Sequence, residues 1–108
     1  MNTTSAVPAL AALAHPVRLE AFRSLVVAGR EGLAQMELAK TLGVGPTNLA
    51  FHLKELAGVG LVTAERAGSR VIYRAGYDRM DELLTFLTKN CCKGLPATDG
   101  AGAASCGC

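Results

Sequence analysis

Tryptophan is absent from this 108-residue sequence, and aromatic residues make up only 5% of it. The core must therefore be built mainly from leucine, valine and alanine, and that composition favours helices over strands. No apolar run approaches the roughly 18 residues that cross a bilayer, and no basic segment followed by an apolar one marks a secretory signal. We therefore expect a soluble, cytoplasmic protein with one domain, since single domains usually run to about 100–150 residues.

A strong excess of one charge is also missing, because 11 lysines and arginines face 9 aspartates and glutamates, for a net charge of +2. The total charge alone therefore does not indicate a nucleic-acid partner. The distribution of charge along the chain is more informative, because residues 45–76 carry four cationic and two acidic side chains and are the most basic part of the chain. The sequence also lacks a phosphate-binding loop, a nucleophile beside a base and a paired-carboxylate signature, so we expect no enzyme.

Cysteine is missing from the first 90 residues, and all four cysteines lie in the last 18. They are Cys91, Cys92, Cys106 and Cys108. In a reducing cytoplasm, clustered thiols are more often metal ligands or redox groups than disulfide bridges. From Gly94 onward the chain is mostly glycine, alanine, serine and threonine, which bury too little apolar surface to become ordered. We therefore predict a folded domain over residues 1–90 and a flexible, cysteine-containing tail over residues 91–108.

What the sequence does contain is a series of helical apolar patterns separated by glycine and proline. In chain order, the predicted elements are a helix over residues 8–14, a helix that starts at Pro16 and is closed by Gly29, a brief extended link at 33–34, a short helix over 36–42, a helix from Pro46 to Gly58, a hairpin of residues 61–66 and 70–75, and a last helix capped by Asp78. In the second helix, one buried stripe is predicted, made of Leu19, Phe22, Leu25 and Val26. The predicted fold is mainly α with a small β-hairpin, in the order typical of a winged helix-turn-helix domain.

The helix that starts at Pro46 has two unlike faces on a helical wheel. Its inner face carries the leucines at 49, 53 and 56, and its outer face carries Thr47, Asn48, Phe51 and Lys54. An asparagine can pair bidentately with adenine, and a phenylalanine can pack on a thymine methyl group. The outer face therefore predicts contacts with base edges in the major groove, whereas the alternatives are that Asn48 helps to cap the helix and Phe51 packs against a neighbouring helix.

Four further side chains are candidates for contacts with DNA phosphates. His52 lies at the margin of the inner face, where it is either a core imidazole or a phosphate donor. Arg66, Arg70 and Arg74 lie on the predicted hairpin, where they either reach phosphates or form a solvated face. Lys54 is open to the same two interpretations.

The stretch from Met36 to Ala75 reads MELAKTLGVGPTNLAFHLKELAGVGLVTAERAGSRVIYRA and resembles the ArsR/SmtB family of bacterial repressors. The strongest points of resemblance are Glu37-Leu38-Ala39, Leu42-Gly43, His52-Leu53-Lys54, Leu56, Gly60-Leu61-Val62, Arg66, Gly68 and Tyr73. The resemblance covers roughly residues 8–90. It implies a winged helix-turn-helix repressor that binds double-stranded operator DNA.

The resemblance also implies a homodimer that pairs through its first and last helices, and two-fold symmetry favours an operator that is an inverted repeat. The apolar residues of these two helices agree with this expectation. They are Leu10, Leu13, Met80, Leu83, Leu84, Phe86 and Leu87. The alternative is that both helices simply complete the core of each subunit.

Arsenic-responsive members of this family bind their inducer through three cysteines, and some carry a Cys-x-Cys pair before the reading helix. Here the corresponding stretch, residues 35–38, has no cysteine, and the last helix lacks the histidine that zinc, cobalt and nickel members often use. The resemblance therefore implies that As(III) or Sb(III) binds Cys91, Cys92 and either Cys106 or Cys108, since soft metalloids select thiolates. Another soft metal such as zinc or cadmium, thiol oxidation, incidental cysteines, and a protein-interaction module that does not bind DNA remain as alternatives.

Overall fold

The computed structural model of the chain describes residues 1–89. Its elements are α1 (Thr3–Leu13), α2 (Pro16–Ala28), a 3-10 turn (Gly29–Glu31), β1 (Leu33–Ala34), α3 (Gln35–Leu42), α4 (Pro46–Gly58), β2 (Val62–Ala67), β3 (Arg70–Ala75) and α5 (Tyr77–Thr88). The predicted fold class, a mainly helical winged helix-turn-helix domain, is confirmed. The predicted tail, its four cysteines and the predicted boundary after residue 90 lie outside the described residues.

Local capping signals decide where the first two helices begin. The side chains and main chains of Asn2 and Ser5 bond each other reciprocally, so α1 starts at Thr3. The predicted start at Pro8 is wrong, because this proline lies inside the helix. The predicted start of α2 at Pro16 is correct, and the Nδ1 atom of His15 accepts a hydrogen bond of 3.1 Å from the Val17 amide.

A tight turn between α3 and α4 sets the angle of the helix pair. Gly43 ends α3 in the left-handed conformation with φ of 69°, and the Val44 amide donates to the Ala39 carbonyl at 3.1 Å. Across the turn, the side-chain amide of Gln35 donates to the Pro46 carbonyl at 3.0 Å. The start of α4 is therefore tied to the start of α3.

The sheet has three antiparallel strands in the order β1-β3-β2. The brief link predicted at residues 33–34 is β1, and it pairs with Ile72 and Tyr73. The first predicted strand is shifted by one residue, because the Leu61 amide still donates to the Leu56 carbonyl of α4, while its carbonyl accepts from the Gly76 amide. The hairpin turn contains Gly68 with φ of 66°, in the left-handed region that favours glycine.

The core is a cluster of leucines and alanines from all five helices and the sheet. Its fully buried larger side chains are Leu25, Leu38, Leu49, Leu53, Leu56, Leu61 and Val62. In α2 the buried residues are Ala21, Phe22 and Leu25, whereas Leu19, predicted to be buried, is exposed. Because one face of α2 and one face of α4 are buried in this core, the opposite face of each helix lies at the surface.

The last helix begins at Tyr77 with Gly76 as its N-cap, so the prediction that Asp78 caps it is wrong. A side chain at position 76 would collide with the carbonyl oxygen of Gly60, so the close approach of these two backbones requires glycine. The Tyr77 hydroxyl donates to the Val26 carbonyl at 3.2 Å and fastens α5 to the end of α2. Among residues 1–89, no helix has both the length and the apolar character needed to cross a membrane.

Candidate DNA-binding surface

The second helix of the helix-turn-helix, α4, presents the outer face that the helical wheel predicts. Its three inward leucines are fully buried, which fixes the rotation of the helix about its own axis. On the opposite side, the exposed residues include Thr47, Asn48, Phe51 and Lys54. Two hydrogen-bonding groups, one ring and one cation therefore face outward, a set that can contact bases and phosphates.

The capping alternative does not describe the surroundings of Asn48, whereas Phe51 is exposed and also lies beside Arg18 of the neighbouring helix α2. The N-cap of α4 is Gly45 and no side chain caps this end, so Asn48 has no capping role. The Phe51 side chain is 54% exposed, and its ring meets the His52 ring of the same helix edge-on at 5.5 Å between centroids. Asn48 and Phe51 are both accessible to a ligand on this face.

The sequence leaves two interpretations of His52 open, a core imidazole and a phosphate donor. In the structure, His52 lies in the interior. It is only 6% exposed, and its Nδ1 atom accepts a 3.1 Å hydrogen bond from Nε of Arg18 on α2. Its ring also lies 4.4 Å from the His15 ring, between centroids. Burial, and then the electrostatic influence of the neighbouring His15 and Arg18 side chains, lower the pKa of His52 more than Glu55 raises it. These surroundings favour a neutral imidazole that accepts a hydrogen bond from Arg18 over an imidazole that donates to a phosphate.

The hairpin arginines differ in what they contact. Arg66 is exposed and pairs across the hairpin with Val71, whereas Arg70 pairs with Ala67, so the two arginines extend from opposite faces. Arg70 forms an ion pair of 3.3 Å with Glu37 of α3. Because both partners are more than half exposed, such a pair contributes little to stability and leaves Arg70 able to turn to a phosphate.

Arg74 differs from these two arginines, because its guanidinium already forms two hydrogen bonds within the fold. It donates to the Arg30 carbonyl and to the Glu65 carboxylate, each at 2.7 Å. These two bonds link the sheet to the 3-10 turn, and a phosphate contact of Arg74 stays a prediction. Glu37, which sequence reasoning missed, both accepts from the Ala34 amide and pairs with Arg70.

The described residues hold no group of three or more histidine, cysteine, aspartate or glutamate side chains placed to bind a metal ion. His15 and His52 are close together, but they are only two. The four predicted thiolate ligands lie outside the described residues.

The comparisons with known proteins agree with this architecture. A family model for a helix-turn-helix domain matches residues 13–65. HlyU from Vibrio cholerae N16961 is 30% identical, with a TM-score of 0.65 over 80% of this chain and 94% of that one. The homodimeric winged helix-turn-helix DNA-binding domain of Mb0332 from Mycobacterium bovis, a possible ArsR-family transcriptional regulator, is 27% identical, with a TM-score of 0.64 over 81% of each chain.

An ArsR-like transcriptional regulator from Rhodococcus sp. RHA1 has the same fold, with a TM-score of 0.65 over 94% of this chain and 89% of that one, at 24% identity. No curated protein matches the sequence. The helix order, the outward face of α4 and these likenesses together define the class: the chain belongs to the ArsR family of winged helix-turn-helix transcriptional regulators.

Proposed function

We propose that the chain is a homodimeric repressor that binds operator DNA without its inducer and leaves it when As(III) or Sb(III) binds the C-terminal thiolates. The observation that carries the DNA-binding part is the outward face of α4. There Asn48, Phe51 and Lys54 stand exposed on a helix that three buried leucines hold in place. In winged helix-turn-helix proteins the second helix enters the major groove, so Asn48 would read base edges and Lys54 would contact phosphates.

Exposed apolar side chains on the first and last helices support the dimer. Val7 and Leu10 share one face of α1, and Leu84 and Leu87, 51% and 52% exposed, share one face of α5. Leu83, predicted to belong to the same surface, is instead in the subunit core. Pairing of the two helices with a second copy would cover these side chains. A two-fold dimer would favour an inverted-repeat operator.

The inducer is inferred from the chemistry of the four cysteines. Three thiolates fit a trivalent metalloid, and the adjacent pair Cys91 and Cys92 supplies two of them with almost no loop to close. Cys106 or Cys108 would supply the third. A tetrahedral zinc site fits less well, because adjacent cysteines depart from the usual Cys-x₂₋₄-Cys spacing.

The inducer is tested by titrating the DNA-bound protein and following release by fluorescence anisotropy. The DNA is a labelled duplex that the protein itself selects from a random-sequence library. Arsenite and antimonite are expected to release it, with methylarsenite, zinc and cadmium as comparisons. Release by zinc or cadmium alone would replace the metalloid by another soft metal. Release by an oxidant without any metal would indicate a thiol switch.

The cysteine ligands are tested by single substitutions. Cys91→Ser and Cys92→Ser are each expected to abolish release by arsenite while leaving DNA affinity unchanged, because neither residue lies on α4. Among Cys106→Ser and Cys108→Ser, the variant that blocks release identifies the third ligand. A chain truncated after Lys93 that still responds fully to arsenite would contradict a three-thiolate site within one chain.

A further inference from the structure

Arg18 lies beside the DNA-binding face although it belongs to another helix. It is the third residue of α2, and its Nε–H donates to the Nδ1 atom of His52 on α4 at 3.1 Å. Its guanidinium carbon is 5.8 Å from the centroid of the Phe51 ring. This half-buried arginine therefore comes next to a side chain on the outward face of α4.

Arg18 lies in the first turn of α2, at the helix end where a cation is disfavoured. The first turn of α2 has no acidic residue, and the positive end of the helix dipole disfavours a cation there. The neighbouring imidazoles of His15 and His52 bring no negative charge to offset it. Within residues 1–89, the ion pairs are formed by four other arginines and none by Arg18. An anion bound beside Arg18 would supply the opposite charge with which no described residue pairs it.

His52 holds the guanidinium in one orientation. The imidazole is buried and fixed by its helix, so the Nε–H of Arg18 has a stationary acceptor. The two terminal nitrogens of Arg18 form no hydrogen bond within the described residues. A planar guanidinium held at one edge, with its other donors available, is well suited to a phosphate group.

We propose that Arg18 binds a backbone phosphate of the DNA beside α4, and that His52 is the positioning residue that orients its guanidinium. The proposal rests on the proposed DNA-binding function and adds to it a contact from α2. It also explains why a buried histidine and an arginine without a carboxylate partner meet at the base of the outward face.

The test measures how DNA affinity depends on salt, because each phosphate neutralised by a cation releases counterions. The full-length protein is titrated against a labelled 30-base-pair random-sequence duplex over a range of KCl concentrations. Arg18→Gln is expected to reduce the slope of log K against log [KCl] by about 0.9 per subunit, or about 1.8 per dimer. Arg23→Gln is the matched control, since Arg23 lies on the same helix, is 70% exposed and pairs with Glu20. Its slope should equal that of the wild type.

A pair of substitutions at position 52 tests the positioning role. His52→Asn keeps an acceptor oxygen near the place of Nδ1, whereas His52→Leu fills the site without an acceptor. The leucine variant is expected to lose the same part of the slope as Arg18→Gln, and the asparagine variant to keep it. Equal slopes in the leucine variant and the wild type would overturn the role of His52.

The outcomes separate this proposal from the one on which it rests. If the wild type shows no salt-dependent duplex binding, the proposed function fails. If the wild type binds but Arg18→Gln has an unchanged slope, only the role of Arg18 fails. Thermal unfolding checks that each variant is folded. Should Arg18→Gln not fold, Arg18→Met, whose unbranched side chain can still pack beside Phe51, takes its place with the same expected slope.

Discussion

At the scale of single residues, Asn48 is the side chain from which we expect base specificity. It is exposed in the first turn of α4, and its amide forms no hydrogen bond within residues 1–89. Asn48→Ala should cost about 1–3 kcal/mol on a duplex selected by the wild-type protein, because a bidentate pair with a base would be lost. On a random duplex the loss should be small. Anisotropy titrations on both duplexes measure this, and equal losses would show that Asn48 makes no base contact.

His52 predicts a pH dependence of stability. Burial, followed by nearby positive charge, lowers its pKa in the folded protein, so the unfolded chain binds its proton more readily. The stabilising contribution of the neutral imidazole is therefore complete above the ordinary histidine pKa of about 6.5 and is lost as the pH falls below it. Urea unfolding at pH 7.5 and pH 5 should show a smaller free energy of unfolding at pH 5. An equally large decrease in His52→Asn would assign the effect to other groups.

At the scale of elements, the contact of Gly76 with Gly60 ties the start of α5 to the end of the helix-turn-helix. A Cβ at position 76 would collide with a backbone carbonyl that cannot move aside freely. Gly76→Ala should therefore destabilise the fold by about 1–3 kcal/mol, as overpacking does. Gly58→Ala is the control, because nothing lies within 4 Å of a Cβ built there. Urea unfolding compares the two variants, and equal stabilities would contradict a required close approach.

The same contact shows what sequence could and could not predict. The starts of α2 and α4 were predictable, because a proline in the first turn is a local signal. The start of α5 was not, since the close approach of Gly60 is what places its N-cap, Gly76. Residues 33–34 were predicted as an extended link, but their pairing with β3 was not predicted, because the partner residues lie about 40 residues away. The hydrogen bond between Arg18 and His52 spans 34 residues and was missed for the same reason. The outward face of α4, in contrast, follows from helical period alone and was predicted correctly.

At the scale of the whole molecule, the proposed dimerisation through α1 and α5 predicts the effect of a charge on the exposed face of α5. Leu87→Asp would bury a carboxylate in the proposed interface, so the protein should become monomeric and its DNA affinity should fall. Val27→Asp is the control, because Val27 is also exposed but lies on α2. Sedimentation equilibrium measures the mass of each variant. A dimeric Leu87→Asp variant would contradict this interface.

The hydroxyl of Tyr77, which donates to the Val26 carbonyl, gives the protein a natural optical reporter. The full sequence has two tyrosines and no tryptophan, so this ring supplies about half of the tyrosine absorbance in the near ultraviolet without interference from indole. Hydrogen bonding to a carbonyl shifts a phenol's absorption and quenches its emission. Any inducer that moved α5 away from α2 would therefore brighten the unlabelled protein, and the contact between these two helices could be followed without a label.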